Sequence, residues 1–398
     1  MRVLSLSLDP TIAPGATGDH RGDAAARQRE YAARLERYAV LTKAPRGAPT
    51  VRQSAPAPGF TITAIGGSRL LFLPRMLREG LRLTAAERFD LVTAQDAWLT
   101  GVVAYVLARR RGLRLNLQLH SDILDNPHWR AEHPLHHLYH PLAKWLLRRA
   151  DSVRVGTSRE RRKVIALGLP PERVYLLPVA VDLRPFAEAD GAALRARLLG
   201  NRYDRLVLAV GRLVAAKDLA TLLRAAPLVR RRWPGVRFVI VGAGPLRPRL
   251  EALAARLGLG EAVHFAGAVP HEQIAAYFAA CDVFALSSLY EGTSLAMVEA
   301  LAAGKPVVCT DVAGAEDWLG PGCGGFVVPQ RDPAALAERI CYLLYNPKEA
   351  AVLGAAGRGR VLARFDRQQL LDGVIKMWRK TVKHDTSAYA SVADHAEG

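Results

Sequence analysis

Short runs of β-branched and apolar residues alternate with longer helical patterns from one end of this chain to the other. Runs at 3–8, 61–65, 90–93, 113–119, 152–155 and 174–177 read as strands in the first half. Runs at 206–210, 237–241, 263–265, 283–286, 307–309 and 325–328 do so in the second. Parallel strands need long crossovers, usually helices, so this alternation predicts parallel sheets with helices on both faces. The series breaks over the polar stretch 182–205 and then restarts. Two doubly wound, Rossmann-like α/β domains are therefore predicted, 1–184 and 185–365, joined near Pro185 and facing across a cleft. At 398 residues the chain has room for a full core in each. The segment 44–58, rich in Pro and small residues, reads as a surface loop, and the polar tail 384–398 as disordered.

Composition narrows the function classes. No apolar run is long enough to span a bilayer, and the opening residues up to Asp9-Pro10 read as a first strand rather than a signal peptide. Cys281, Cys309, Cys323 and Cys341 form no Cys-x-x-Cys pair and read as core thiols in a reducing cytoplasm. The formal net charge is +18, with clusters such as Arg109-Arg110-Arg111, Arg148-Arg149 and Arg230-Arg231-Arg232. No helix-turn-helix, zinc finger or aromatic-basic RNA motif accompanies them, so nucleic acid is not the expected partner. An anionic membrane surface, a polyanionic acceptor or simple compositional bias toward Arg each account for the charge.

In open α/β sheets ligands bind beyond the carboxyl ends of strands. Gly211-Arg212, Gly242-Ala243-Gly244-Pro245, the stretch 287–295 and the stretch 311–316 each follow a predicted strand of the second domain. Glu291 and Glu299 are the most informative pair there. Glu291 falls in a loop, and Glu299 falls about two turns into the helix that follows. Between them the free amides of Thr293, Ser294 and Leu295 crown a helix N-terminus, which suits phosphate or sugar oxygens. Two carboxylates flanking such donors match the hydroxyls at either end of a nucleotide sugar. Arg212 and Lys217, at a strand-to-helix corner opened by Gly211, can neutralise a diphosphate.

Other features carry less. Gly242-Ala243-Gly244-Pro245 lacks the third Gly of a dinucleotide fingerprint, so it reads as a tight turn lining a nucleotide pocket. His120-Ser121-Asp122 ends a first-domain strand and is either a capped turn or a polar trio facing the cleft. His133, His136, His137 and His140 cluster on one predicted helix without a Cys partner or a His-Glu-x-x-His motif, which argues against zinc. No Asp-x-Asp motif is present to bridge a metal and a diphosphate, so no metal cofactor is expected. The stretch 129–149 carries Trp129, Leu138, Tyr139, Leu142, Trp145, Leu146 and Leu147 before Arg148-Arg149. It reads either as an amphipathic helix packed on its sheet or as one lying on an anionic membrane.

Three stretches then carry a family resemblance. They are Gly211-Arg212-Leu213 with Lys217, the run from Glu291-Gly292-Thr293-Ser294-Leu295 through Glu299 to Gly304-Lys305-Pro306-Val307, and Ala313-Gly314-Ala315-Glu316. With them the chain resembles the bacterial family 4 retaining glycosyltransferases of the GT-B fold. The resemblance implies a metal-independent sugar transfer from a nucleotide-diphosphate donor to a glycan, lipid-linked or small-molecule acceptor. It implies that Arg212 and Lys217 hold the diphosphate and that Glu299 binds the ribose. Glu291 and the amides of Thr293, Ser294 and Leu295 would hold the transferred sugar, with His120 near the anomeric carbon. Gly211 and Gly244 would line the donor site. The family's N-terminal Gly-Gly loop matches Gly22-Asp23, placed by Ala32 and Leu35 of the first helix, with Asp in place of the second Gly. A last helix, about 366–383, would cross back to the first domain. A GT-B phosphorylase, an epimerase or a non-catalytic GT-B binding module are the alternatives. A cytoplasmic protein, peripheral to the inner face of the membrane, is expected.

Overall fold

The computed structural model describes residues 1–13, 24–45 and 51–383. Gly22 and the tail 384–398, both named above, lie outside the described residues. Two sheets form. The first holds β1 (Arg2–Leu6), β2 (Arg37–Lys43), β3 (Val51–Ala57), β4 (Phe60–Ile65), β5 (Leu91–Ala94), β6 (Arg114–Gln118), β7 (Ser152–Val155) and β8 (Val174–Leu176). The second holds β9 (Arg205–Val210), β10 (Val236–Val241), β11 (Val263–Gly267), β12 (Val283–Leu286), β13 (Val307–Thr310) and β14 (Gly325–Val328). Their orders are β3-β4-β2-β1-β5-β6-β7-β8 and β11-β10-β9-β12-β13-β14. Every pairing is parallel except β3 with β4.

The parallel strands are buried on both faces, as β12 and β13 show with every residue buried. That double burial is why they read as continuous apolar runs rather than alternating ones. The strand order fixes where ligands can enter. In the second sheet it reverses between β9 and β12, and in the first between β1 and β5. At such a switch point the flanking loops turn opposite ways and leave a crevice at the carboxyl edge.

Two first-domain elements differ from expectation. The segment 44–58 is not all loop, because β3 occupies its second half as an antiparallel edge strand. Its residues, Val51-Arg52-Gln53-Ser54-Ala55-Pro56-Ala57, show no apolar alternation, since an edge strand buries little. The pairing comes from the hairpin at Gly59, whose φ of 72° only glycine adopts easily, and its register shifts between Ser54 and Ala57 around Pro56. β2 also went unread, because the helical pattern through Ala32 and Leu35 runs straight into it. The helix Ala24–Ala32 stops at Ala32, and Leu35 lies in the turn that follows.

The C-terminal helix Arg367–Lys383 lies against the first sheet. Trp378 is 1% exposed and sits among Tyr31 and Tyr38, with ring centroids 5.4 and 6.2 Å away. Its indole N–H donates to Asn116 Oδ1 at 3.2 Å. The stretch 129–149 is two helices, Pro127–Glu132 and His136–Leu147, broken at 133–135. The four histidines therefore do not share one helix. His136 stacks on Trp129 at 4.1 Å, and His140 Nε2 accepts from the Asp125 amide at 3.1 Å. Trp129, Ala143, Leu146 and Leu147 are buried, while Leu135, Leu138 and Trp145 are exposed. All four cysteines are buried and free. Among the described residues, no helix is long and apolar enough to cross a membrane.

Candidate active site

Four adjacent strands, β10, β9, β12 and β13, bring the sequence-named loops to one edge. Gly211 follows β9, and backbone contacts set its corner. A Cβ on Gly242 would sit 1.9 Å from Gly211 O, and one on Gly244 would sit 2.4 Å from Leu213 O. Both glycines thus let the loop after β10 close onto the loop after β9, and Gly244 acts here through backbone packing. The Leu213 amide donates to Ala243 O at 2.9 Å. A second set of bonds ties the β9 loop to the β12 loop: Ser287 Oγ donates to Lys217 O at 3.0 Å, and the Leu289 amide to Ala216 O at 2.7 Å.

Lys217 and Glu291 meet on this frame. Lys217 Nζ donates to Glu291 Oε1 at 2.5 Å, and Ser288 Oγ donates to the same oxygen at 2.6 Å. Both side chains are mostly buried, 19% and 11% exposed, so the pair holds its geometry against solvent. Glu291 therefore commits one oxygen to Lys217 and Ser288. Arg212 projects into solvent beside Tyr290 and makes no hydrogen bond or ion pair among the described residues.

The helix Leu295–Ala302 begins just beyond. It starts later than the sequence suggested, so Glu299 stands in its second turn. Among the described residues, the amides of Thr293, Ser294 and Leu295 donate to no protein acceptor, and Ser294 Oγ is buried without a partner. Glu299 keeps some accessible surface, while its carboxyl lies deep and bonds to no protein group. Burial alone pushes that carboxyl up to about 7. A buried hydroxyl, a deep carboxyl and three amides left without protein partners within one short stretch are costly unless something else meets them.

The first domain closes over this rim. A Cβ on Gly292 would sit 2.2 Å from His120 O, so only glycine allows the two loops to touch. The Asp122 amide donates to Glu291 O at 3.0 Å, and Thr293 Oγ1 donates to Gly156 O at 3.1 Å. Farther out, Arg159 pairs with Asp311 and Arg162 with Glu316, each at 2.6 Å. His120 keeps an exposed edge in the cleft. Its place among surrounding protein, then the nearby charges of Arg154 and Arg27, hold its pKa well below the ordinary value, so the ring is neutral at pH 7.

His120, Gly211, Arg212, Lys217, Glu291, Thr293, Ser294, Leu295 and Glu299 thus gather at one cleft. Sequence reasoning missed Ser288, Arg154 and the seam residues Thr157 and Glu160. The last two had a signal, because Thr157-Ser158-Arg159-Glu160 is a capping box directly after β7. Arg154 and Gln118 had none, since each sits inside a strand.

This architecture, two switch-point crevices facing each other, is shared with known proteins. The sequence profile described as Glycosyl transferases group 1 matches residues 192–360, and the Glycosyl transferase 4-like domain matches 23–180. The chain is 33% identical over 331 residues to a D-inositol 3-phosphate glycosyltransferase of Catenulispora acidiphila, covering 78% of this chain and 77% of that one. It belongs to this family of family 4-like glycosyltransferases. A GDP-mannose-dependent phosphatidylinositol monomannoside mannosyltransferase of Mycolicibacterium smegmatis is 35% identical over 230 residues. That match spans 55% of this chain and 60% of the relative's length. Among solved structures, sucrose-phosphate synthase of Thermosynechococcus elongatus superposes with a TM-score of 0.79 at 24% identity, over 96% of this chain and 99% of that one. An Anabaena protein in complex with UDP-glucose gives 0.74 at 22%, over 96% and 100%. These two establish the GT-B fold.

Proposed function

We propose that this chain transfers a sugar from a nucleoside-diphosphate donor, held on the second domain's rim, to an acceptor hydroxyl presented by the first domain. The observation that carries the reading is the set of groups around the start of the helix Leu295–Ala302 that meet no protein partner: three amides, the Ser294 hydroxyl and the Glu299 carboxyl. Glu299 accepts from the ribose hydroxyls. The amide crown and the open oxygen of Glu291 take the hydroxyls of the transferred sugar. Arg212 and Lys217 face the diphosphate, with Lys217 held in place by Glu291 and Ser288.

Transfer proceeds with retention of anomeric configuration. As the glycosidic bond breaks, negative charge grows on the leaving phosphate, and Arg212 and Lys217 stabilise it there. The leaving phosphate oxygen takes the acceptor's proton, and the new bond forms on the same face. A neutral His120 can accept or donate a hydrogen bond to the sugar without adding charge beside an electron-poor carbon. Arg212 and Lys217 offset the charge that grows on the leaving phosphate, so no metal is required. The Mycolicibacterium smegmatis relative is GDP-mannose-dependent by name, and the Anabaena protein is in complex with UDP-glucose.

The exposed strip of Leu135, Leu138 and Trp145, 47%, 63% and 39% exposed, runs beside Arg148 and Arg149. The Arg149 guanidinium lies 4.0 Å over the Trp145 ring. That arrangement supports peripheral contact with an anionic bilayer at the cytoplasmic face, with a lipid-linked or glycan acceptor.

The decisive experiment is release of UDP or GDP from a panel of nucleotide sugars, with and without acceptor and with excess chelator, followed by NMR of the product anomer. Acceptor-dependent release that survives chelation and an α-linked product from an α-linked donor are expected. Complete loss with chelator, restored by Mg²⁺, or an inverted product would overturn the mechanism. Sedimentation with anionic and neutral vesicles at low and high salt tests the membrane contact, and equal binding to both removes it.

A further inference from the structure

A cavity of about 210 Å³ opens at the first domain's own switch point. Asp9 follows β1, Gln95 follows β5 and His120 follows β6, and all three line it. Arg27, Tyr31, Gln118 and Arg154 form its floor and wall. Arg154 is the odd residue. It is 3% exposed, on β7, the next-to-last strand of its sheet, and among the described residues none of its partners is a carboxylate. Nε donates to Leu177 O at 2.8 Å, Nη2 to Pro178 O at 2.7 Å, and Nη1 to Gln118 Oε1 at 3.1 Å and Tyr31 Oη at 3.5 Å. A buried guanidinium met only by neutral acceptors keeps its whole charge uncompensated.

That neutrality is built in. Gln118 is oriented by a buried chain in which its amide donates to Thr93 Oγ1 at 2.9 Å and Thr93 donates to Asn116 Oδ1 at 2.7 Å. Asn116 donates to Ser152 Oγ at 2.8 Å, and Ser152 meets Thr381 at 2.7 Å. Not one member is acidic, although several point toward Arg154 through Gln118. Asp9 also lines the cavity but does not bond Arg154; its Oδ1 accepts from the Thr11 amide and hydroxyl at 2.9 and 2.7 Å. Burial first, and then the nearby charges of Arg154 and Arg27, push the His120 pKa down. An uncompensated cation beneath a polar cavity, at the crevice where this sheet takes ligands, calls for an anion.

We propose that this cavity seats a phosphate group of the acceptor, with Arg154 and Arg27 supplying the charge and Tyr31 a hydroxyl donor, so that the acceptor hydroxyl is presented beside His120. The inference rests on the first domain being the acceptor side. It names the acceptor's chemistry, a phosphorylated polyol or sugar, free or as a lipid headgroup. The volume equals roughly seven waters at about 30 Å³ each, enough for a phosphate and part of its carrier.

The test is calorimetric titration of inorganic phosphate into the full-length chain already saturated with UDP or GDP, which removes the donor rim from the reading. Saturable phosphate binding is expected. Arg154→Gln weakens it by about tenfold or more, while Arg154→Lys, which keeps the charge, stays within about threefold. Gln118→Glu places a carboxylate beside Arg154, supplies the missing counter-charge internally and weakens phosphate to the same extent. Nucleotide affinity is unchanged in all three. If Arg154→Gln does not fold, Gln118→Glu alone decides, because it retains the guanidinium. Displacement of phosphate by glycerol 3-phosphate supports a soluble acceptor, and displacement by short-chain phosphatidylinositol supports a lipid headgroup. Absence of saturable phosphate binding, unchanged affinity in the charge-altering variants, or displacement by neither compound overturns the proposal. Failure of both nucleotides to bind instead removes the donor reading and leaves the phosphate titration to be judged by itself.

Discussion

The two crevices of this molecule occupy equivalent places in their sheets and are furnished differently. Beyond β9 and β12 the available groups come from two short stretches: three amides at one helix start, glycine corners that let loops close, and side chains that all lie between Arg212 and Glu299. Beyond β1 and β5 they are side chains drawn from the helix Ala24–Ala32, strands β6 and β7 and the loops that follow β1 and β5, supported from below by Trp378 and Thr381 of the last helix. A site carried on two short loops can be written in contiguous motifs. A side-chain site can change residue by residue without disturbing the fold, which suits a pocket for a variable acceptor.

The contrast can be broken at its strongest point first. Removing the unpaired cation, Arg212→Ala, is expected to lower kcat by about two to three orders of magnitude and to change nucleotide affinity far less, because its interaction grows with leaving-group charge. Steady-state kinetics after circular dichroism reads it. An unchanged kcat would show that the second rim is not where the charge develops.

Whether the crevices must meet is tested by Gly292→Ala. Its Cβ would strike His120 O, so the loops part by at least a few tenths of an ångström. A fall of about a hundredfold in kcat is expected, with nucleotide binding retained, since small displacements of reacting groups cost about that much. Equal rates in variant and parent would mean the two rims act independently.

Glu299 carries a smaller and pH-dependent effect. Its folded pKa, about 7, lies above its ordinary value of 4.5. The ionised carboxyl accepts from donor hydroxyls better than the protonated one, so kcat/KM for donor should rise as pH passes through about 7. Glu299→Gln should flatten that limb and raise donor KM by about tenfold, the worth of one charged hydrogen bond. Stability runs the other way. A raised folded pKa gives a contribution fully present below pH 4.5 and lost as pH rises through about 7, so the ligand-free Gln variant should melt higher than the parent at pH 8 and similarly at acid pH. Differential scanning fluorimetry across pH 4.5–8 checks the sign.

The least is expected at the seam. Arg159 and Asp311 form an exposed pair, so Arg159→Ala should cost no more than about 1 kcal/mol in a denaturant titration and leave kcat within about threefold. A larger loss in kcat would make that pair part of the closure on which turnover depends.

The second crevice was largely legible because its information is local. Glu291, the amides through Leu295 and Glu299 lie along one loop and helix, and Arg212 and Lys217 lie along another. Strand-end glycines and apolar runs announce where the chain must turn. The sequence by itself determined the alternation of strands and helices, hence the two parallel sheets, and the residues grouped at the second domain's rim. It did not disclose β3, whose pairing is decided by a hairpin rather than by burial, nor the break that separates His133 from the helix His136–Leu147. Only tertiary structure decided that Lys217 is held in place by Glu291, that His120 touches Gly292, and that Arg154 is buried beside Gln118 with no carboxylate bonded to it among the described residues. Each of these joins residues tens to hundreds of positions apart. Their pairing depends on sheet order and on the return of the last helix, and neither leaves a periodic trace in the chain.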